Sequence, residues 1–489
     1  MTSARIVFLS ANNNVLDDAR LLRYVAAAGQ FGYEVVAVGT QRWGGDEEHD
    51  VPGGRVLVRR LPQRFGGRGL VGRMAAVGNA LAPYALKADP AAARALAAFL
   101  ARDAAQGGGP QVLRWLRRLH SKMIAGLVKA RLWAKGDRQK TLYSAAAGNE
   151  RKRARRMAFY RLAPWAARWR TVAPDRIEEE LALGPVLDRL KPALIHVHDV
   201  YQMGVAVRAQ SRAAAQGRRI HLVYDAREFV PGLAYIAPRQ VAAHAQLEAE
   251  YIGRFERVIS VSEPMARRVM RRYRLDRFPD IVMNAPVIGP RDPETPDIRD
   301  AAGVAPGVPL MIYGGGVHPG RGIHTAVQAL ALLPAVHLVV VIRHLDWMPD
   351  ELMELALQAG AGDRLHAVPF VPHDQVVHYF ASADIGLSPL LRVENHDVTV
   401  TNKFYEYIVA GLPIVTSDTP AQAELVAELD LGAVHKADDP ADLARAVESV
   451  LGRLNELKSR ISGDQELRHR FSWEGQLPVL ERVYEEVLA

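Results

Sequence analysis

The residues of this 489-residue chain best suited to chemistry fall in three short stretches. The first is Gly314-Gly315-Gly316-Val317-His318-Pro319-Gly320-Arg321-Gly322, directly after the apolar run Leu310–Tyr313. Three successive glycines after a strand let a ligand approach the backbone closely and leave amides able to hold an anion. Arg321 opens the next helix and offers a fork of donors suited to phosphate oxygens. Pro319 fills the sixth position, so the loop is not a G-x-G-x-x-G dinucleotide fingerprint, and no Gly-Lys-Ser/Thr follows to make a triphosphate loop. The other two stretches, His198-Asp199 and Arg227-Glu228, each close a strand pattern. Functional side chains collect at the carboxyl ends of strands, although strand-end capping and an internal ion pair suit these residues too. No bound metal is expected, because the chain has no cysteine, no Asp-x-Asp triplet and no His-Glu-x-x-His spacing.

The elements around these stretches alternate. Arg5–Ser10 reads as a buried strand, the polar loop Ala11–Asp17 follows, a helix runs over Asp18–Gly29, and Val35–Val38 is a second strand. Strand patterns resume at Leu194–His198, Leu222–Asp225 and Val258–Val261. After the proline-rich stretch Pro286–Asp300 they restart at Leu310–Tyr313, Leu338–Ile342, Leu365–Val368, Ile385–Ser388 and Ile414–Thr416. A single core stops growing at roughly 250–300 residues, so two α/β domains are expected. Their ligands would sit in the cleft between them, outside the strands' carboxyl ends. Residues 63–185 interrupt the rhythm with Ala, Arg and Leu and read as inserted helices. Asn12–Asn14 and Arg20 are expected to line the loop over a ligand in this cleft.

The stretch from Thr401 to Val415, TNKFYEYIVAGLPIV, reads as a helix ending at Gly411 and then a strand. It resembles the NKxxEYxxxGxPVV signature of retaining glycosyltransferases of the GT-B fold, sequence family four. Further matches are Ile195–Asp199 (IHVHD), Tyr224–Glu228 (YDARE), Val258–Glu263 (VISVSE), Val282–Pro286 (VMNAP), the glycine loop with Arg321, Ala381–Pro389 (ASADIGLSP) and Ser472–Trp473. The resemblance implies two doubly wound Rossmann-like domains facing across a cleft. They would comprise an acceptor-side domain at 1–288 with the helical insert, a linker at 289–300, a nucleotide-sugar-binding domain at 301–471, and a last helix within 472–489 packing back on the first domain.

The same resemblance implies residue roles. Glu406 would accept hydrogen bonds from ribose hydroxyls, while Arg321 and Lys403 neutralise the diphosphate. Thr401, Asn402, Gly315 and Gly316 would hold phosphates or donor sugar, and backbone at Phe370–Val371 would meet the base. Asp199, Arg227 and Glu228 would act on the reacting sugars. As alternatives, Lys403 and Glu406 suit a surface ion pair and Arg321 an ordinary helix start. Three positions depart from the family: Val398 stands where a second glutamate is frequent, with Asp397 or Glu394 as its replacement, Gly315 replaces a basic residue, and Arg227 a histidine. The implied reaction moves a sugar from a nucleoside-diphosphate sugar to an acceptor hydroxyl with retention, without cofactor or metal. An epimerase of the same fold or a catalytically weak scaffold are the alternatives.

Charge is unevenly spread. Pro110–Arg176 carries 18 lysines and arginines against three acidic residues, whereas the rest has 44 against 51. Four of the seven tryptophans (Trp115, Trp133, Trp165, Trp169) share this segment, and Leu116, Leu119, Met123, Leu127 and Val128 fall at helical spacing. Such a segment suits an anionic membrane surface or a lipid-linked acceptor, and equally a packed helical subdomain with a solvated basic face. No nucleic-acid motif accompanies it. With no signal-peptide pattern and no apolar run of about 20 residues, a cytoplasmic protein is expected, held peripherally at the inner face of the membrane. Its acceptor would be a glycan, lipid-linked or small molecule.

Overall fold

The computed structural model describes residues 4–10, 15–41, 45–61, 150–173, 175–234, 236–343 and 348–489, together with Trp115, Leu119 and Lys122. Asn12–Asn14 and most of the basic insert, including its apolar stripe apart from Leu119, lie outside the described residues.

Short apolar runs build two sheets. In the first domain the strands are β1 (Arg5–Ser10), β2 (Glu34–Gln41), β3 (Glu47–Val51), β4 (Gly54–Arg60), β5 (Leu194–Val197), β6 (His221–Ala226), β7 (Arg257–Ser260) and β8 (Asp280–Ile281), in the order β3-β4-β2-β1-β5-β6-β7-β8. Every pairing is parallel except β3 with β4. Side chains alternate through this sheet: Val7, Leu9, Val36 and Val38 enter one core, while Ile6, Phe8, Val35 and Ala37 enter the core on the other face. Burial on both faces is why these strands are apolar throughout.

The second domain has β9 (Leu310–Gly314), β10 (His337–Ile342), β11 (Leu365–Pro369), β12 (Ile385–Ser388), β13 (Ile414–Ser417) and β14 (Gly432–His435), ordered β11-β10-β9-β12-β13-β14. This is the doubly wound order, whose switch point lies between β9 and β12. The two-domain α/β architecture expected from the strand rhythm is present. The antiparallel hairpin β3–β4 and the edge strand β14 are additions that the sequence reading did not include.

Between the domains the chain has no regular element from Val282 to Asp297. Gln375 and His378 of the second domain pin the linker, through hydrogen bonds to Pro290 O (3.1 Å) and Gly289 O (2.8 Å). The last helix, Leu477–Leu488, returns to the first domain. Tyr484 is fully buried there and its hydroxyl lies 2.8 Å from His196 Nδ1, and Trp473 N–H donates to Pro286 O at 2.7 Å. No helix among the described residues is long and apolar enough to cross a membrane.

Candidate active site

A cavity of about 700 Å³ opens between the two sheets at their carboxyl edges. Ser10 at the end of β1 and Asp199 after β5 border it from the first domain, and the loop after β9 from the second. The switch points of the two sheets therefore face each other.

The glycine loop forms one wall. Gly315 has φ +130° and Gly322 φ +69°, conformations that favour glycine, and a Cβ on Gly322 would fall 1.8 Å from Pro389 O. A side chain at 315 would carry backbone strain and meet Lys403 Nζ at 3.5 Å. Two loop amides are already occupied: Gly314 N–H donates to the Tyr407 hydroxyl (3.1 Å) and Gly315 N–H to Val341 O (3.0 Å). These two amides therefore do not hold an anion, as the sequence had suggested, and side chains supply the positive charge.

Lys403, in the first turn of the helix Asn402–Val409, is buried with Nζ 4.4 Å from the centre of the Tyr313 ring. Burial and the neighbouring Arg321 lower its pKa to about 7, with Glu406 opposing. Glu406, one turn on, is raised by burial against the pull of Lys403 and of Arg23, which reaches across from the helix Ala19–Gln30. Arg23 itself donates to Asn284 Oδ1 and is lowered to about 10 by burial and Arg20. Arg321, Gly316, Phe370, Thr401 and Asn402 also line the cavity. The Thr401 hydroxyl is taken up by Gln422 Oε1 at 3.0 Å, and the Phe370 amide by Ile342 O at 3.2 Å. Phe370 therefore offers an exposed ring rather than a free amide, and Val371 packs against the core outside the cavity.

On the opposite wall two ion pairs are crossed. Asp18, the N-cap of the helix Ala19–Gln30, receives both Arg227 terminal nitrogens at 2.8 and 3.2 Å. Burial would raise the Asp18 carboxyl, but Arg227 outweighs it and lowers the pKa to about 2. Two residues on, fully buried Arg20 grips Asp225 with two contacts of 2.8 Å and donates to Val282 O at 2.9 Å. Arg20 borders the cavity, but this pairing leaves it bracing the floor rather than lining an acceptor loop. His198 likewise departs from expectation. Along an extended strand neighbouring side chains alternate, so Asp199 lines the cavity and caps a turn through Tyr201 N (2.9 Å), while His198 is sealed below. Burial keeps His198 neutral, at about 4. Glu228 stands at the cleft mouth, its carboxyl raised by the enclosing walls.

His196, His198 and Asp225 are the one group of metal-ligating types within reach of one another among the described residues. Arg20 already holds both Asp225 oxygens, so a guanidinium occupies the place a cation would take.

Neither replacement for the missing glutamate faces the cavity. Glu394 pairs with Arg268 and Arg161, Asp397 pairs with Arg392 at 2.6 Å, and Val398 is buried in the first domain's core. His396 borders the cavity instead, lowered to about 4 by burial, with its Nδ1 2.8 Å from Leu391 O. Asn284, His373 and Asn395 also line the cavity and Arg23 acts on Glu406, although none of the four stands out in the sequence. Arg23 was detectable only as the i+3 neighbour of Arg20 on one helix face.

Comparison with known proteins finds similarity over part of the chain. The model of the family described as "Glycosyl transferases group 1" matches residues 308–453. D-inositol 3-phosphate glycosyltransferase of Mycolicibacterium smegmatis is 25% identical over 249 residues, covering 50% of this chain and 55% of that protein. Its namesake from Nocardia farcinica is 26% identical over 240 residues, covering 46% and 51%. The chain thus spans about half the length of the curated relatives it matches. Among solved structures, sucrose-phosphate synthase from Thermosynechococcus elongatus superposes with a TM-score of 0.63 at 14% identity, over 99% of this chain and 98% of that one. Anabaena HepE in complex with UDP and glucose gives 0.56 at 14%, over 99% of each chain. These likenesses show a GT-B fold.

Proposed function

We propose that this chain, whose residues 308–453 match the model described as Glycosyl transferases group 1, moves a sugar from a nucleoside-diphosphate sugar to an acceptor hydroxyl with retention of configuration. One observation carries the reading: Arg321, Lys403 and Glu406 converge on a single cavity between two Rossmann-like domains. A diphosphate against Arg321 and Lys403 meets two cations in a partly dry site, where charge that grows on the leaving group is stabilised most. Glu406, one helical turn beyond Lys403, is placed to accept ribose hydroxyls, and the exposed Phe370 ring to lie against a base. Thr401 is committed to Gln422, so Asn402 is the polar side chain at that helix entrance left to meet the donor. Arg227, fixed by Asp18, and Asp199 and Glu228 opposite orient the sugars. No side chain need attack the sugar, and a donor phosphate oxygen takes the acceptor proton.

Incubation with a panel of sugar nucleotides tests the reading. UDP-glucose comes first, because related folds are seen with UDP and glucose. Slow release of nucleoside diphosphate from one donor is expected. Isomerised sugar nucleotide would identify an epimerase instead, and neither outcome with any donor would refute transfer.

A further inference from the structure

A second cavity, of about 680 Å³, lies on the far side of one loop from the first. Residues 228–233 form the shared wall, with Glu228, Val230 and Leu233 facing the cleft and Phe229 and Pro231 facing outward. The helix Glu150–Leu162, from the described part of the insert, closes this outer pocket through Met157, Tyr160 and Arg161. Three further arginines, Arg268, Arg271 and Arg272, come from the helix Glu263–Tyr273. Against these four guanidiniums the lining has one carboxylate, Glu394. The floor between them is apolar, made by Phe229, Pro231 and Ala245. Phe159 and Leu162, on the face of the helix Glu150–Leu162 turned away from Met157, Tyr160 and Arg161, and Trp165 in the following turn are 51%, 87% and 68% exposed.

An excess of guanidinium over carboxylate selects a phosphate or diphosphate, which arginine binds through paired N–H donors. Sugar phosphates and inorganic phosphate would satisfy the arginines but leave the apolar floor unused. We propose that the outer pocket binds the phosphate head of a lipid phosphate, the first part of whose apolar chain lies over Phe229, Pro231 and Met157. Resting on the transfer reading above, this makes a lipid-phosphate-linked saccharide the acceptor, anchored one loop away from the donor. Glu394 belongs to the second domain, so its pairing with Arg161 and Arg268 links the two domains at the pocket's edge.

The test titrates the full chain with a polyprenyl phosphate in detergent micelles, following tryptophan fluorescence, beside the dephosphorylated polyprenol and inorganic phosphate. The lipid phosphate should bind at least about tenfold more tightly than either control, as the loss of one charge-assisted contact or of the apolar contact alone predicts. Arg161→Gln, Arg271→Gln and Arg272→Gln together should weaken it about tenfold or more, with melting of the free variant showing that it is folded. Glu394→Gln should act in the opposite direction and tighten binding. Equal binding of inorganic phosphate, or unchanged affinity in the triple variant, overturns the proposal. A melting shift with UDP is read in the same series. Its presence without lipid-phosphate binding refutes the pocket alone, and its absence beside lipid binding refutes the donor reading alone.

Discussion

On the transfer reading proposed above, Lys403 makes the affinity for a nucleoside diphosphate depend on pH, with a direction set by its burial. In the free protein, burial and Arg321 hold its pKa at about 7, far below the usual lysine value. It is therefore half charged near neutrality and uncharged above it. A diphosphate lying against Arg321 and Lys403 restores the ammonium, so binding above pH 7 takes up a proton. Between pH 7 and 8.5 the charged fraction falls from about one half to about one thirtieth, and affinity should fall about 15-fold, or about 1.6 kcal/mol. For folding the sign is as follows. The unfolded chain keeps an ordinary lysine, so the cost of the buried ammonium is full below about 7 and is relieved as pH rises toward about 10.4.

Calorimetric titration with UDP at pH 7.0 and 8.5, in two buffers of different ionisation enthalpy, reads both affinity and proton uptake. Lys403→Arg stays charged over this range and should bind with a flat profile. Lys403→Met should be equally flat but weaker at neutral pH. A flat profile in the wild-type protein, or a slope that survives in either variant, would refute the coupling between Lys403 and the diphosphate.

Arg321→Ala and Glu406→Ala should each lower transfer by about 10²–10³-fold with an unchanged melting temperature, since each acts on the donor and not on packing. Arg227→Ala leaves the Asp18 carboxylate buried without its partner and should cost about 3–5 kcal/mol in urea unfolding at pH 7. That difference should shrink as pH falls from about 4 toward the Asp18 value of about 2. Transfer should persist in EDTA, because Arg321 and Lys403 stand where a divalent ion would otherwise neutralise the diphosphate. Vesicles rich in anionic lipid should sediment the protein at low salt and release it as salt rises, each Lys or Arg at the surface contributing about 1 kcal/mol.

The fold was readable where burial imposes a local pattern. RIVFLS and HLVVVI are apolar at nearly every position because both sheet faces are covered, and their strands match the expected ones to within a residue or two. Glu47–Val51, with the sequence EEHDV, carries no such signal. It pairs only with β4 at the sheet's antiparallel edge, where charged side chains are tolerated and also discourage pairing with another chain. Gly432–His435 is short and opens on a glycine at φ +150°, so neither length nor propensity marks it.

The site divides along the same line. Lys403 and Glu406 lie one turn apart on one helix, so the sequence places them on a common face. The glycine loop, too, is a single continuous stretch. On the opposite wall the informative relation is the crossing of two ion pairs, Asp18 with Arg227 and Arg20 with Asp225, each between residues more than 200 positions apart. Both members of each side stand two residues from each other, acid then base on the helix start and acid then base on the strand end. Two parallel copies of one charge order can neutralise each other only by crossing. That crossing buries Arg20 as a brace and turns Arg227 toward the cleft without leaving an unpaired charge beneath it.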